Sequence, residues 1–165
     1  GIQKVRFTRK GIDTVQFLLS ANRGESLRPL NKVASGGELS RIMLALKTVL
    51  SLKEPEGTAV FDEIDTGVSG RAADKVGRKL YQISRSRQVL CITHLPQIAA
   101  LADCHFRIVK TEEEGRTFTH VQKLDTEGRK EELSRLMSGM NVTKTSMESA
   151  GEMLKAASEF KSLTK

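Results

Sequence analysis

Apolar residues recur along this chain with two different periods, which predicts alternating helices and strands. Between Glu38 and about Leu52 they return at close to 3.6-residue spacing, at Leu39, Ile42, Met43, Leu46, Val49 and Leu50. That spacing predicts an amphipathic helix. The next apolar run, Thr58–Phe61, is short and is followed by acidic residues, so it predicts a buried strand.

A second helix and a second strand follow this first pair. The segment from Gly70 to about Ser84 is predicted to be helical, with Ser69 as its N-cap. Its apolar face comprises Ala72, Ala73, Val76, Leu80 and Ile83. The run from Gln88 to Thr93 is apolar and predicts the next strand. A strand, a helix and a strand in so short a span form a βαβ unit, which predicts a parallel sheet core.

The rest of the chain predicts smaller elements around this core. They are two short strands around Lys10–Gly11, a loop over 23–32, a short helix over 96–102, a hairpin turning at 113–115, and helices over about 130–140 and 146–161. The predicted fold class is therefore α/β: a mostly parallel sheet core flanked by helices, with a peripheral hairpin and C-terminal helices. The whole chain, 1–165, is predicted to be a single domain.

Composition narrows the choice of partner and compartment. Lys and Arg outnumber Asp and Glu by 27 to 20, and the pI is about 9.6. An excess of this size suits an anionic partner such as nucleic acid or a nucleotide phosphate, although many proteins without one are also basic. Aromatic residues make up only 4%, which argues against a base-stacking surface. Two cysteines and no membrane-length apolar run predict a cytoplasmic protein.

The ends of the two predicted strands carry the candidate chemistry. Asp62 and Glu63 directly follow the first strand, and His94 follows the second. Parallel strands place their carboxyl ends at one edge of a sheet, where α/β proteins bind ligands. A carboxylate in Asp62's position suits Mg²⁺ beside phosphates, and Glu63 suits a general base. The alternative is an ordinary acidic turn together with a histidine that only forms hydrogen bonds.

Ser35, Gly36 and Gly37 stand directly before the first long helix. Free backbone N–H groups and the helix dipole favour an anion at such a position, and glycines let a phosphate approach closely. The alternative is a flexible loop with a serine cap. The glycine pair by itself does not decide between them.

Three segments together point to a family: LNKVASGGELSRIMLALK, FDEIDTGVSGRAADKVG and VLCITHLPQIAALAD. They resemble the C-terminal lobe of the ABC-type ATPase head in the RecN family, SMC-like proteins of bacterial DNA double-strand-break repair and recombination. The resemblance extends from about Gly11 to Lys110. Ser35–Glu38 matches the signature motif, Val60–Glu63 the Walker B end, Asp65 the D-loop, and His94 the switch histidine.

The resemblance implies that two heads sandwich ATP and Mg²⁺. Asp62 would bind the metal, while Glu63 and His94 would be catalytic. The residues implied to contact a nucleotide held mostly by the other head are Ser35, Gly36, Gly37, Glu38 and Asp65. Glu38 departs from the glutamine common in transporters of this class.

Three features of the family are missing from this sequence: the phosphate loop, the glutamine loop and the coiled-coil arms, for which no heptad repeat is visible. The sequence contains no G-x-x-x-x-G-K-[ST] loop, which would cradle the phosphates with its backbone and lysine. The chain by itself is therefore predicted to be inactive as an ATPase. The implied partners are an N-terminal lobe of the same protein that carries this loop and a second head in a homodimer. The implied location is the bacterial cytoplasm, at the nucleoid.

Other interpretations remain beside this one. Four basic residues share a face of the second helix, Arg71, Lys75, Arg78 and Lys79, which suits either a DNA-backbone contact or a solvated surface. A non-enzymatic basic module that binds DNA or protein is the alternative function. Cys91, His94, Cys104 and His105 are less suited to zinc, because Cys91 and His94 would face opposite sides of a strand.

Overall fold

The computed structural model describes residues 9, 11–13, 15–20, 24–33, 35–50, 57–113, 115–139 and 141–164. The chain divides into two compact units, 1–35 and 36–165, although its length predicts one domain. In the first unit, β1 (Leu18–Leu19) pairs antiparallel with β2 (Arg28–Pro29), and α1 (Leu30–Val33) follows. The loop predicted over 23–32 is therefore wrong from Arg28 onward. Of the two strands predicted around Lys10–Gly11, the first falls almost entirely outside the described residues, and within the second the structure has a strand at Leu18–Leu19.

The second unit begins with the predicted βαβ arrangement and the helix before it. Its elements are α2 (Gly36–Leu50), β3 (Thr58–Phe61), α3 (Gly70–Ser84) and β4 (Gln88–Cys91). β3 and β4 pair in parallel, in a register that runs from Thr58 opposite Gln88 to Phe61 opposite Cys91. This pairing confirms the α/β class. α2 begins earlier than predicted because the glycine pair is part of the helix.

The remaining elements are α4 (Pro96–Ala99), β5 (Phe106–Glu113), β6 (Arg116–Lys123), α5 (Thr126–Ser138) and α6 (Lys144–Leu163). β5 and β6 form the predicted antiparallel hairpin. α5 begins earlier than predicted because Asp125 caps it, accepting a hydrogen bond of 2.8 Å from the Gly128 N–H. Over the described ranges, no helix has both the length and the apolar character needed to cross a membrane.

Two hydrophobic clusters support the second unit. The first cluster lies between α2, the β3–β4 pair, α3 and α4; its members are Leu44, Ala59, Phe61, Ile64, Ala73, Leu80, Ile83 and Ile98. The second cluster is built around α5 and α6; its members are Ala99, Ala100, Leu101, Leu133, Ala150 and Ala157. Consecutive residues Ile98 and Ala99 of α4 belong to different clusters, so this short helix joins them.

The apolar stripe of α2 does not lie against the first cluster. Leu44 is the apolar residue of the helix that is buried there, at 4% exposure. Four of the six side chains that set the helical period are between 41% and 72% exposed: Leu39, Met43, Leu46 and Val49. An amphipathic helix ordinarily packs its apolar stripe inward. In this chain that stripe is open to contact from outside.

Candidate functional site

The site is built on the turn that leaves β3. Because β3 ends at Phe61, Asp62 and Glu63 are the first residues beyond the sheet. Asp62 is exposed, and its Oδ1 accepts a hydrogen bond of 2.9 Å from the Glu63 backbone N–H. The Glu63 carbonyl then accepts from the Thr66 N–H at 3.1 Å, which closes the turn. Both acids are thus presented at the carboxyl edge of the parallel pair, as predicted.

Glu63 has an unusual backbone. Its φ of 57° is in the left-handed region, and within the described part of the chain no other non-glycine residue has a positive φ. A residue with a side chain in this region stores about 1–3 kcal/mol of strain when its surroundings hold it there. The strain therefore coincides with the residue that sequence reasoning assigned as general base.

The start of α2 packs directly on this turn. A Cβ built on Gly37 would lie 2.8 Å from the Thr66 Cβ and 2.9 Å from the backbone oxygens of Glu63 and Thr66. A Cβ on Gly36 would lie 2.6 Å from Glu63 Oε2, at the end of a flexible side chain. Position 37 therefore requires glycine, because the backbone of α2 lies directly against the backbone of the β3 turn there. Gly36 brings the helix start next to the candidate base.

Two polar side chains of α2 also hold the helix to the turn. The Arg41 guanidinium donates to the Thr66 carbonyl at 2.7 Å and to the Ile64 carbonyl at 3.4 Å. The Ser40 hydroxyl donates to the Asp62 carbonyl at 2.9 Å. Sequence reasoning missed both residues. Their signal was weak: two adjacent polar positions one turn after the glycine pair, in a helix that has a second such pair at Lys47 and Thr48.

Asp65 and His94 meet between the two strand ends. Asp65 is 4% exposed, and its Oδ2 lies 3.0 Å from Nδ1 of the His94 ring. The same oxygen accepts from the His94 backbone N–H at 2.8 Å and from the Thr93 hydroxyl at 2.6 Å. Burial by itself would raise the pKa of Asp65, but these hydrogen bonds and the nearby imidazole lower it overall.

The carboxylates at the strand ends also act on Cys91, the last residue of β4. Burial, with the charges of Asp65 and Asp62, raises the pKa of the Cys91 thiol to about 12. The thiol is therefore protonated and unreactive at neutral pH.

The structure brings most of the predicted site residues to one place. Gly36, Gly37, Asp62, Glu63, Asp65 and His94 all belong to the helix start, the β3 turn or the end of β4 that pairs with that turn. Glu38 lies in the first turn of α2. Ser35, the last residue of the first unit, precedes α2 in sequence, and its role stays a prediction.

The acidic side chains at the strand ends suit a metal ion that is bound partly by the protein and partly by the phosphates of a substrate. Across the described residues, no group of three or more His, Cys, Asp and Glu side chains could hold an ion by itself. Asp62 nevertheless offers an exposed carboxylate at the strand end. Mg²⁺ commonly binds through one or two carboxylates together with substrate phosphates. The binding of Mg²⁺ by Asp62 stays a prediction.

The four basic residues of α3 are exposed, but they are not equivalent. Arg78 donates to Asp74 at 2.7 Å, and its guanidinium lies 4.4 Å from the Phe160 ring centroid. Lys79 donates to Gln82 at 2.9 Å. Part of the predicted basic face is therefore engaged in contacts within the chain, and its contact with DNA stays a prediction.

A parallel strand pair with acids at its carboxyl edge, and a glycine-started helix held against them, defines a mixed α/β protein with a strand-end site. No protein-family model matches the chain. The chain is, however, similar to bacterial proteins named DNA repair protein RecN. It is 48% identical to that of Bacillus subtilis (strain 168) over 159 residues, which cover 96% of this chain and 28% of the relative.

Further relatives carry the same name. The identity is 49% over 158 residues with Halalkalibacterium halodurans, covering 96% of this chain and 28% of the relative. It is 49% over 146 residues with Treponema pallidum (strain Nichols), covering 88% and 26%. The predicted resemblance to RecN is therefore confirmed, over a chain that spans little more than a quarter of these relatives' length.

One solved structure was described in a study of ATP-driven dimerization and DNA-stimulated activation of SMC ATPases. It superposes on this chain with a TM-score of 0.49 and 21% sequence identity. The superposition covers 72% of this chain and 70% of that one.

Proposed function

We propose that this chain is the C-terminal part of the ATPase head of a RecN-like protein for DNA repair and recombination, acting in the bacterial cytoplasm. The observation that carries the proposal is the convergence of the β3 turn, the α2 start and His94 at the edge of a parallel strand pair. The relatives' name, DNA repair protein RecN, supports the repair role.

The proposed roles follow from position and chemistry. The exposed Asp62 carboxylate would hold Mg²⁺, which when bound neutralises charge on the phosphates of ATP. Glu63 would take a proton from the attacking water, because its carboxylate is exposed at the carboxyl end of β3, next to Asp62. His94 would contact the terminal phosphate. Proposed nucleotide contacts from a second head, in a homodimer, are Ser35, Gly36, Gly37 and Glu38.

An uncovered apolar face supports the proposed partner lobe. Val60 and Leu90 are opposite each other in the parallel register and are 64% and 49% exposed. A groove of about 340 Å³ runs from Val60 to Leu39 and Met43 of α2. Parallel sheets are ordinarily covered on both faces. We assign the missing cover to the N-terminal lobe with the phosphate loop, because the chain spans only 28% of its relatives' length.

The test uses a protein that contains both this chain and the segment with the phosphate loop. Glu63→Gln should slow ATP hydrolysis by about 10²–10⁴-fold while nucleotide still binds, because the amide keeps the shape of the side chain and removes the base. Asp62→Asn should instead weaken nucleotide binding only when Mg²⁺ is present. Phosphate release and nucleotide titrations with and without Mg²⁺ measure the two effects.

Glu112→Gln is the matched control, because Glu112 is an exposed acid on β5. It should change neither quantity. Full hydrolysis by Glu63→Gln would contradict the role of Glu63 as general base, and no hydrolysis by the unmodified protein would contradict the proposed ATPase role. If a protein that does not hydrolyse ATP still bound DNA, and lost that binding when Arg71 and Lys75 were changed, the proposed function would be replaced by the alternative one. That alternative is a non-enzymatic basic module that binds DNA.

A further inference from the structure

The cluster of Asp65, Thr93 and His94 carries an inference beyond the roles above. A single oxygen of Asp65 faces three donors: the Thr93 hydroxyl, the His94 backbone N–H and the His94 ring. The Asp65 side chain is 4% exposed, whereas the His94 side chain is 72% exposed. A buried carboxylate thus holds one edge of an imidazole whose other edge is open.

The contact also fixes a proton. Hydrogen bonds from Thr93 and His94 outweigh the effect of burial and lower the pKa of Asp65, so its carboxyl is ionised at neutral pH. An ionised carboxylate only accepts hydrogen bonds. The 3.0 Å approach of Nδ1 therefore requires a proton on that nitrogen. In the neutral ring, Nε2 is then left with a lone pair on the edge turned away from Asp65.

We propose that Asp65 is a positioning residue for His94, which sets the ring's orientation and its Nδ1–H tautomer. This assignment replaces the direct nucleotide contact predicted for Asp65, because a side chain so fully buried presents almost no surface to a ligand. The purpose of the oriented ring, contact with the terminal phosphate, rests on the proposed function. The tautomer itself does not.

Fixing the tautomer has a chemical use. Nε2 can accept a hydrogen bond from water when the ring is neutral, and it can donate to a phosphate oxygen when the ring is protonated. Thr93 and the His94 backbone N–H hold the carboxylate in place, so the ring's position depends on both strand ends.

The experiment is an NMR measurement on the ¹⁵N-labelled chain without nucleotide, at a pH where the His94 ring is neutral. Ring nitrogen–proton correlations report the tautomer, and His94→Gln identifies the His94 signals among those of three histidines. We expect Nδ1 to carry the proton. In Asp65→Ala the ratio of Nδ1–H to Nε2–H forms should fall at least about tenfold, because the carboxylate that Nδ1 approaches at 3.0 Å is lost.

Asp103→Asn is the matched control, because that exposed carboxylate bonds Lys161 at 2.6 Å and is not a partner of His94. It should leave the ratio unchanged. An Nε2–H form in the unmodified chain, or an unchanged ratio in Asp65→Ala, would overturn the proposal. If Asp65→Ala does not fold, the spectrum of the unmodified chain decides. Since no ATP is used, failure of the hydrolysis test above leaves this result standing, and the reverse also holds.

Discussion

The two hydrophobic clusters differ in how far the chain itself completes their surroundings. Around the second cluster, two buried polar side chains have partners within the chain: Glu132 accepts from Arg135 at 2.6 and 2.8 Å, and the Ser134 hydroxyl lies 2.6 Å from that of Ser146. The first cluster packs against one face of the β3–β4 pair. On the other face Val60 and Leu90 are exposed, as is the apolar stripe of α2.

This difference separates scaffold from working surface. The second cluster is made by residues of the chain and serves its own stability. The first cluster supports a strained turn, a glycine-started helix and an apolar face, none of which stability alone would favour. Features that cost stability and concentrate in one region are expected where a protein meets ligands and partners.

The largest expected effect contrasts two leucines, one for each cluster. Leu133 is 0% exposed and Leu90 is 49% exposed. Leu133→Ala should lower the free energy of unfolding by about 2–5 kcal/mol, because it leaves a cavity. Leu90→Ala should change it by less than about 0.5 kcal/mol in this chain. Denaturant unfolding of both variants measures the contrast.

The same pair of variants gives a sharper comparison of the two clusters in a longer protein that also contains the proposed partner lobe. If a partner lobe covers the sheet, the cost of Leu90→Ala should rise toward that of a buried leucine there, while the cost of Leu133→Ala stays the same. Equal losses for the two variants in the present chain would contradict the distinction between the clusters.

A smaller effect should distinguish the two adjacent glycines at the start of α2. Gly37→Ala should destabilise the chain by about 1–3 kcal/mol, because the new methyl group meets backbone atoms of the turn that cannot give way. Gly36→Ala should cost less, because the Glu63 carboxylate can rotate aside. Unfolding free energies measure both, and each variant is the other's control for helix propensity. A costlier Gly36→Ala would show that α2 is not seated on the turn as described.

The smallest effect depends on pH and belongs to the second cluster. Hydrogen bonds from Arg135, opposed by burial and aided by the charges of Arg135, Arg107 and His105, lower the pKa of Glu132 below 4.5. A lowered pKa means that this stabilisation is complete above the unfolded value and is lost as pH falls through the folded value. Glu132→Gln should therefore unfold more easily than the unmodified chain at neutral pH.

The difference between the two proteins should shrink as pH falls below 4.5, and unfolding curves at several pH values measure it. Glu131→Gln is the control, because this neighbouring residue is exposed. A difference that is constant with pH would show that the Glu132 charge does not stabilise the fold.

Elements with local signals at both ends were predictable from sequence. β3 and α3 have the predicted bounds. β3 is a short apolar run flanked by turn-forming residues. α3 has a clear apolar period, and Ser69 directly precedes it. The start of α2 was placed too late. Glycine disfavours helix by about 1 kcal/mol, and only contact with the β3 turn explains why Gly36 and Gly37 are helical.

The candidate acids and His94 were predictable because parallel strands bring their ends together. The contacts of Arg41 and Thr93 were not, since each reaches a partner 25 or more residues away in sequence. The burial of Asp65 was also beyond local pattern, because nothing in the run DEID distinguishes the acid that turns inward from those that face out.

Glu63 also bears on redesign. Its φ of 57° is one that glycine adopts without penalty, so a sequence chosen for this backbone by stability alone would have glycine at this position. This chain has a glutamate there instead, at a cost of about 1–3 kcal/mol. A stabilised version of the protein should therefore leave position 63 untouched, since the change that most relaxes the turn is also the one that deletes its carboxylate.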